Sequence, residues 1–97
     1  MRLEIKSGTA KNKKWKAIFY NDEGKKIKTS QFGDNRYQDY TQHKDKKRRN
    51  KYRDRHRKDL ASGDYMKPGF LSFYILWGES TSLKSNINAY KKKFKLK

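Results

Sequence analysis

Near the start of the chain Leu3 and Ile5 alternate with Arg2, Glu4 and Lys6, the period of a strand with one buried face, and Ser7-Gly8 ends it. Trp15, Ala17 and Phe19 then alternate with Lys16, Ile18 and Tyr20, and Asn21-Asp22-Glu23-Gly24 supplies a turn with glycine where a positive φ is needed. A further strand runs from Lys25 to Phe32, with Ile27 and Thr29 on one side and Lys26 and Lys28 on the other, and Gly33-Asp34-Asn35 closes it. The pattern predicts an antiparallel hairpin with one wet, basic face, or a three-stranded meander if the first strand joins it.

The period changes at His43. From His43 to Leu60 there is no Gly, Pro or β-branched residue, and Lys and Arg dominate, which predicts one helix over 43–60 with Asp39 or Thr41 near its cap. Asp45 with Arg49, Asp54 with Lys58 and Arg55 with Asp59 stand at i, i+4 spacing and would support it. Ser62-Gly63-Asp64 ends this segment, and Pro68-Gly69 opens another in which Phe70, Phe73, Tyr74 and Trp77 fall on one helical stripe. Eight residues are too few to choose between helix and buried strand there. After Gly78, Ser80 or Thr81 is placed to cap a last helix carrying Leu83, Ile87, Tyr90 and Phe94 at steps of four, three and four, with Lys91 to Lys97 left as a basic tail open to fraying. The expected fold class is α+β: a small N-terminal antiparallel hairpin or three-stranded meander followed by three helices, all in one domain over 1–97.

Composition sharpens this picture. Only 32% of the 97 residues are hydrophobic against 38% charged, with a mean hydropathy of −1.40, a balance close to that of disordered chains. Aromatic residues make up 14% and occur in clusters; each large ring buries roughly 150–250 Å², so a few offset the shortage of aliphatics. The absence of cysteine excludes a disulfide framework and a cysteine-built zinc site, and fits a reducing compartment or the interior of a virus particle better than secretion. No apolar run near Met1 resembles a signal segment, and the longest, Phe70 to Trp77, is too short to cross a bilayer. No membrane partner is expected.

The charge of +17 is uneven: residues 43–59 alone hold ten Lys/Arg against three Asp/Glu, a net +7. On a helical wheel Tyr52, His56 and Leu60 form the apolar stripe that should dock on the core. Lys44, Lys47, Lys51, Arg55 and Lys58 lie on the opposite side within about 80° of one another, with Arg48 beside them. Like charges so arranged repel by a few tenths of a kcal/mol per neighbouring pair, so the stripe is either a plain solvated face or a surface for a polyanion. Nucleic-acid phosphates are the first candidate partner and an acidic protein surface the second. His43 and Asp45 point about 160° apart on the same wheel, which argues against a metal site with His56. No Gly-rich phosphate loop, Ser/His/Asp arrangement or carboxylate pair is present. A non-enzymatic role without cofactor is therefore expected. Of Trp15, Tyr20, Phe32, Tyr37 and Tyr40, most must serve the core, and Tyr37 and Tyr40, set between Asp34, Arg36 and Asp39, are the candidates for stacking on a base.

Phe32-Gly33, Asp39-Tyr40-Thr41-Gln42, the pattern H-K-D-x-x-R-x-x-x-Y-x-x-R-H from His43 to His56, Leu76-Trp77, and Tyr90-Lys91-Lys92 with Phe94 together resemble a family of small basic domains encoded by giant double-stranded DNA viruses. The resemblance spans about residues 13–96 and brings no known activity. It implies a virus-encoded product associated with the genome, the capsid or the virus factory, in the virion interior or the host cytoplasm. In that setting the expected function is sequence-independent DNA binding that compacts or coats a genome, or else a minor capsid or core protein that binds acidic viral structural proteins. It also implies that Tyr52 and His56 are structural, that Lys44 and Arg55 belong to the basic stripe, and that His43 and Asp45 brace the helix.

Overall fold

The computed structural model, which describes residues 1–97, has an N-terminal three-stranded antiparallel sheet followed by helices, an α+β fold. The alternating segments form β1 (Arg2–Ser7), β2 (Lys13–Tyr20) and β3 (Lys26–Asp34), in the order β1-β2-β3. Register puts Leu3 opposite Phe19, Ile5 opposite Ala17 and Trp15 opposite Phe32. One face of the sheet therefore carries the buried Leu3, Ala17, Phe19 and Phe32, as the period-two pattern requires. In β3 the inward residues are Ser30 and Phe32, while Ile27 is 46% exposed. The side of β3 that carries Ile27 and Thr29 is thus the open one, whereas Lys26 and Lys28, expected on the wet face, share the side of Ser30 and Phe32 and are exposed on this edge strand, Lys28 opposite Phe19 and Lys26 past the irregularity in pairing between Phe19 and Tyr20.

The expected single helix over 43–60 is two helices and a 3₁₀ turn: α1 (Tyr40–His43), α2 (Lys46–His56) and the turn Arg57–Ser62. Asp39 caps α1 in a reciprocal capping box with Gln42. The break lies at Lys44, which adopts φ 58°, and at Asp45, whose carboxylate accepts from the backbone N–H groups of Lys47 and Arg48. An aspartate that can cap a new helix competes with its own place inside a longer one. None of the three i, i+4 ion pairs forms: Asp54 sits 3.8 Å from Arg57 and Asp59 3.0 Å from His56, while Asp45 is spent on the cap.

Pro68 opens α3 (Pro68–Leu71), which continues as a π-helical turn over Ser72–Leu76, so Phe70–Leu76 is helical and Trp77 lies at its C-cap. It is buried on most sides, through Phe70, Leu71, Phe73, Ile75 and Leu76, rather than along one stripe. Helix α4 (Leu83–Lys93) follows, capped by Ser82 rather than by Ser80 or Thr81. Its Tyr90 is buried and donates to the Tyr65 carbonyl, and Leu83, Ile87 and Phe94 pack against the core around it. The basic tail does not fray: Leu96 is buried in the core, and Lys97 exchanges backbone hydrogen bonds with Leu3 and Met1 (both 2.9 Å), covering the outer edge of β1.

Gly33 is where the sheet meets the π-helical turn. It adopts φ +80°, and a Cβ there would lie 2.7 Å from Leu76 Cδ1 and 3.3 Å from the Lys14 Cβ. Gly33→Ala is expected to cost about 1–3 kcal/mol from backbone strain alone, with the clash added. Denaturant unfolding of the variant checks this; an unchanged midpoint would show that β3 and the π-helical turn do not approach so closely.

Candidate nucleic-acid interface

The rotation of α2 decides which of its cations face water. Arg49 is buried, and its Nε donates to the Gly78 carbonyl at 2.6 Å; one turn on, Arg53 donates to the Trp77 carbonyl at 2.8 Å. Both guanidinium groups also approach the Glu79 carboxylate, at 3.1 and 3.8 Å, and Arg53 lies 4.2 Å over the Phe73 ring. These carbonyls lie just past the π-helical turn, outside its backbone ladder. The docking face of α2 is therefore Arg49, Tyr52, Arg53 and His56, not Tyr52, His56 and Leu60; Leu60 belongs to the 3₁₀ turn. Desolvation lowers the pKa of Arg53, yet a guanidinium stays charged at any ordinary pH.

Four rings stack beside this junction. Tyr52 lies 4.2 Å from Trp77, nearly parallel at 6°, and 4.2 Å from His56, while His43 packs on Trp77 at 5.2 Å. His43 Nδ1 accepts from the Asp45 backbone N–H at 2.9 Å, so the ring is neutral in this arrangement. Its pKa is lowered, first by desolvation and then by the charge of Arg48. The bracing of the helix start by His43 and Asp45 is thus visible as a hydrogen bond and a cap. No group of three or more His, Asp or Glu side chains is arranged to hold a metal.

Between the sheet end and α2 lies a cleft of about 640 Å³. Lys13, Arg48, Lys51 and Arg55 line it, none with a carboxylate within ion-pair distance, and Tyr52, Leu76 and Trp77 form part of its wall. Three carboxylates also line it, and each is engaged. Asp34 is forked by Arg36 at 2.8 and 3.0 Å, and hydrogen bonds from the Arg36 side chain and backbone hold its pKa down at about 2. Asp39 receives Lys14 Nζ at 2.6 Å and the Thr41 hydroxyl, and Asp59 faces His56. An anion entering the cleft thus meets four unpaired cations and no free carboxylate beyond those already bonded.

Of the sequence-predicted residues, Arg48, Lys51 and Arg55 come together here, while Lys44, Lys47 and Lys58 are exposed but do not line the cleft. The expected stripe is split because Lys44 leaves the helix and Lys58 enters the 3₁₀ turn. Lys13, contributed from the start of β2, was not foreseeable from helical spacing; its only signal is the Lys13-Lys14 pair before the Trp15 alternation. Tyr40 is buried at the α1 start, whereas Tyr37 is 69% exposed and lies at the cleft.

Comparison with known proteins adds one match. A model for a family of unknown function (DUF5754) matches residues 3–56, more than half of the chain, from β1 to the end of α2. No curated protein and no solved structure matches the chain.

Two outcomes test the stacked junction. Trp77→Ala, which empties a site against Tyr52 and His43, is expected to destabilise the fold by about 3–5 kcal/mol, measured by denaturant unfolding. Burial raises the Tyr52 pKa from 10.0 to about 12. The folded state thus holds the neutral phenol, and this stability is complete below pH 10.0 and lost as pH rises toward 12. Over that interval the unfolding midpoint of the parent should fall more steeply than that of Tyr52→Phe; parallel curves would place the phenol in water.

Proposed function

We propose that this protein, which belongs to the family of unknown function DUF5754, is a non-enzymatic nucleic-acid-binding protein that takes the phosphate backbone in the cleft between β2 and α2. The observation that carries the reading is the convergence of Lys13, Arg48, Lys51 and Arg55 on one concave surface without carboxylate partners. Cations whose only office is solubility gain nothing from being gathered in a cleft, where mutual repulsion is stronger than on an open face. Phosphate oxygens would offset that repulsion, and arginine offers two parallel donors to each. Contacts of this kind carry little sequence preference. The resemblance to giant-virus domains supports a role in coating or compacting a DNA genome. With it goes residence in the virion interior or virus factory. No helix is long and apolar enough to cross a membrane.

The cleft is separable from bulk charge. Changing Arg48, Lys51 and Arg55 to Gln, and in a second variant Lys44, Lys47 and Lys58 to Gln, removes the same charge from the same segment and keeps good helix formers. The cleft variant should lose about 2–3 units of the slope of log affinity against log salt on duplex DNA, at roughly 0.9 per phosphate contact, and the outer variant much less. Equal losses would reduce the cleft to one part of a diffuse field. Binding of an acidic protein with retained affinity for neither DNA nor RNA would move the assignment to the structural-protein alternative.

A further inference from the structure

Among the large apolar side chains, Tyr37 is the most exposed of the chain, at 69%, and it stands at the cleft rather than on an outer surface. Two other rings of the cleft wall are already engaged: Trp77 packs against Tyr52 at 4.2 Å and against His43 at 5.2 Å. Tyr52 is stacked at 4.2 Å by Trp77 and at 4.2 Å by His56, and two rings so nearly parallel to it must occupy opposite faces. Tyr37 takes part in no ring pair and sits in the turn after β3, beside Asp34, which Arg36 neutralises. The cleft therefore presents the uncovered Tyr37 ring on the same concave surface as Arg48, Lys51 and Arg55.

From this we infer that the cleft selects single-stranded nucleic acid, with an unstacked base against Tyr37 and its flanking phosphates on Arg48 and Arg55. The inference rests on the phosphate reading above and deepens it. A duplex keeps its bases paired and stacked inside, so it presents only backbone to the mouth of a concave site and has nothing to lay on the ring. A single strand has π-faces to spare, and stacking on an aromatic side chain is indifferent to base identity. The concavity matters equally. Arg48 and Arg55 share the cleft with Asp34 and Tyr37 and with Ser72 and Trp77, so a single strand that enters it meets cations and ring together, whereas a duplex meets the cations alone.

The test uses the full chain, an end-labelled oligothymidylate of about twelve nucleotides, the same oligomer with abasic sites, and a duplex of equal length. Fluorescence anisotropy is measured over a range of salt concentrations, and the strands are compared with one another at a single one of them. The parent should bind the oligothymidylate about tenfold or more tightly than the abasic strand. Tyr37→Ala should abolish that difference, Tyr37→Phe should keep it, and duplex binding should be unchanged in both, since an exposed side chain carries no core packing. If the parent binds intact and abasic strands alike, or if Tyr37→Ala leaves their ratio standing, the stacking inference is overturned while the phosphate reading survives through its salt slope. If no oligomer shows salt-dependent binding that Arg48 and Arg55 control, both fall together.

Discussion

The carbonyl groups at the end of the π-helical turn Ser72–Leu76 and in the residues just past it are the constraint on which the site depends. A helix that stops inside a core leaves acceptors that water cannot reach, and each unmet one costs about 1–3 kcal/mol. Here side chains from two other helices meet them. Asn86 of α4 donates to the Ile75 and Ser80 carbonyls at 2.8 and 2.7 Å, and Arg49 and Arg53 of α2 donate to Gly78 and Trp77. Gly78 permits the approach, since a Cβ there would meet the Tyr74 carbonyl at 2.1 Å and Asn86 at 3.0 Å. Once Arg49 and Arg53 are committed inward, the pitch of α2 leaves Arg48, Lys51 and Arg55 turned toward the cleft. The rotation of the basic helix thus follows from a hydrogen-bond debt in its neighbour.

Much of the sheet was legible because its signal is local. Alternation around Leu3 and Ile5, and around Trp15, Ala17 and Phe19, needs only the rule that one face is buried, and the register bears it out. The last helix was equally plain from Leu83, Ile87, Tyr90 and Phe94. The break at Lys44 was not. Both the reading of 43–60 as one helix and the actual arrangement use Asp and Lys in ways their propensities permit. The choice turns on whether Asp45 pairs with Arg49 or caps Lys47 and Arg48, and Arg49 is drawn away by the Gly78 carbonyl. Nothing within the segment announces that distant acceptor. The basic tail hid its anchoring for a related reason: Leu96 stands between two lysines, and its place in the core, like the bonds of Lys97 to the edge of β1, depends on residues distant in sequence.

The candidate site was half legible. Arg48, Lys51 and Arg55 were recognisable as cations on one side of a helix, but a wheel cannot tell an arginine that binds a carbonyl from one that faces solvent. Arg49 and Arg53 carry the same group as Arg48 and Arg55 and stand one and two positions from them. Lys13 reaches the cleft from the far end of the sheet, and no spacing within α2 points to it. Tyr37 and Tyr40 were alike in sequence, three residues apart; the capping box at Asp39 turned Tyr40 into the core and left Tyr37 outside.

A core this poor in aliphatics raises the question of how a chain of charge +17 holds together. Part of the answer is that several cations are used as packing material. Arg53 lies over Phe73 at 4.2 Å, Arg2 over Tyr20 at 4.1 Å and Lys93 over Tyr74 at 5.4 Å, contacts that each contribute about 0.5–1 kcal/mol at exposed sites and more where desolvated. Alkyl stems and guanidinium planes cover ring surface that aliphatic residues would otherwise have to cover. The charge is thereby sorted by environment. Where a cation has an aromatic face or a carbonyl it belongs to the fold, and the cations left over at the cleft have neither. An acidic molecule that bound there would compete with no interaction the fold requires, so affinity and stability can vary independently at these positions. The same helix can then gain or lose cleft cations without losing its seat, provided Arg49 and Arg53 keep their carbonyls.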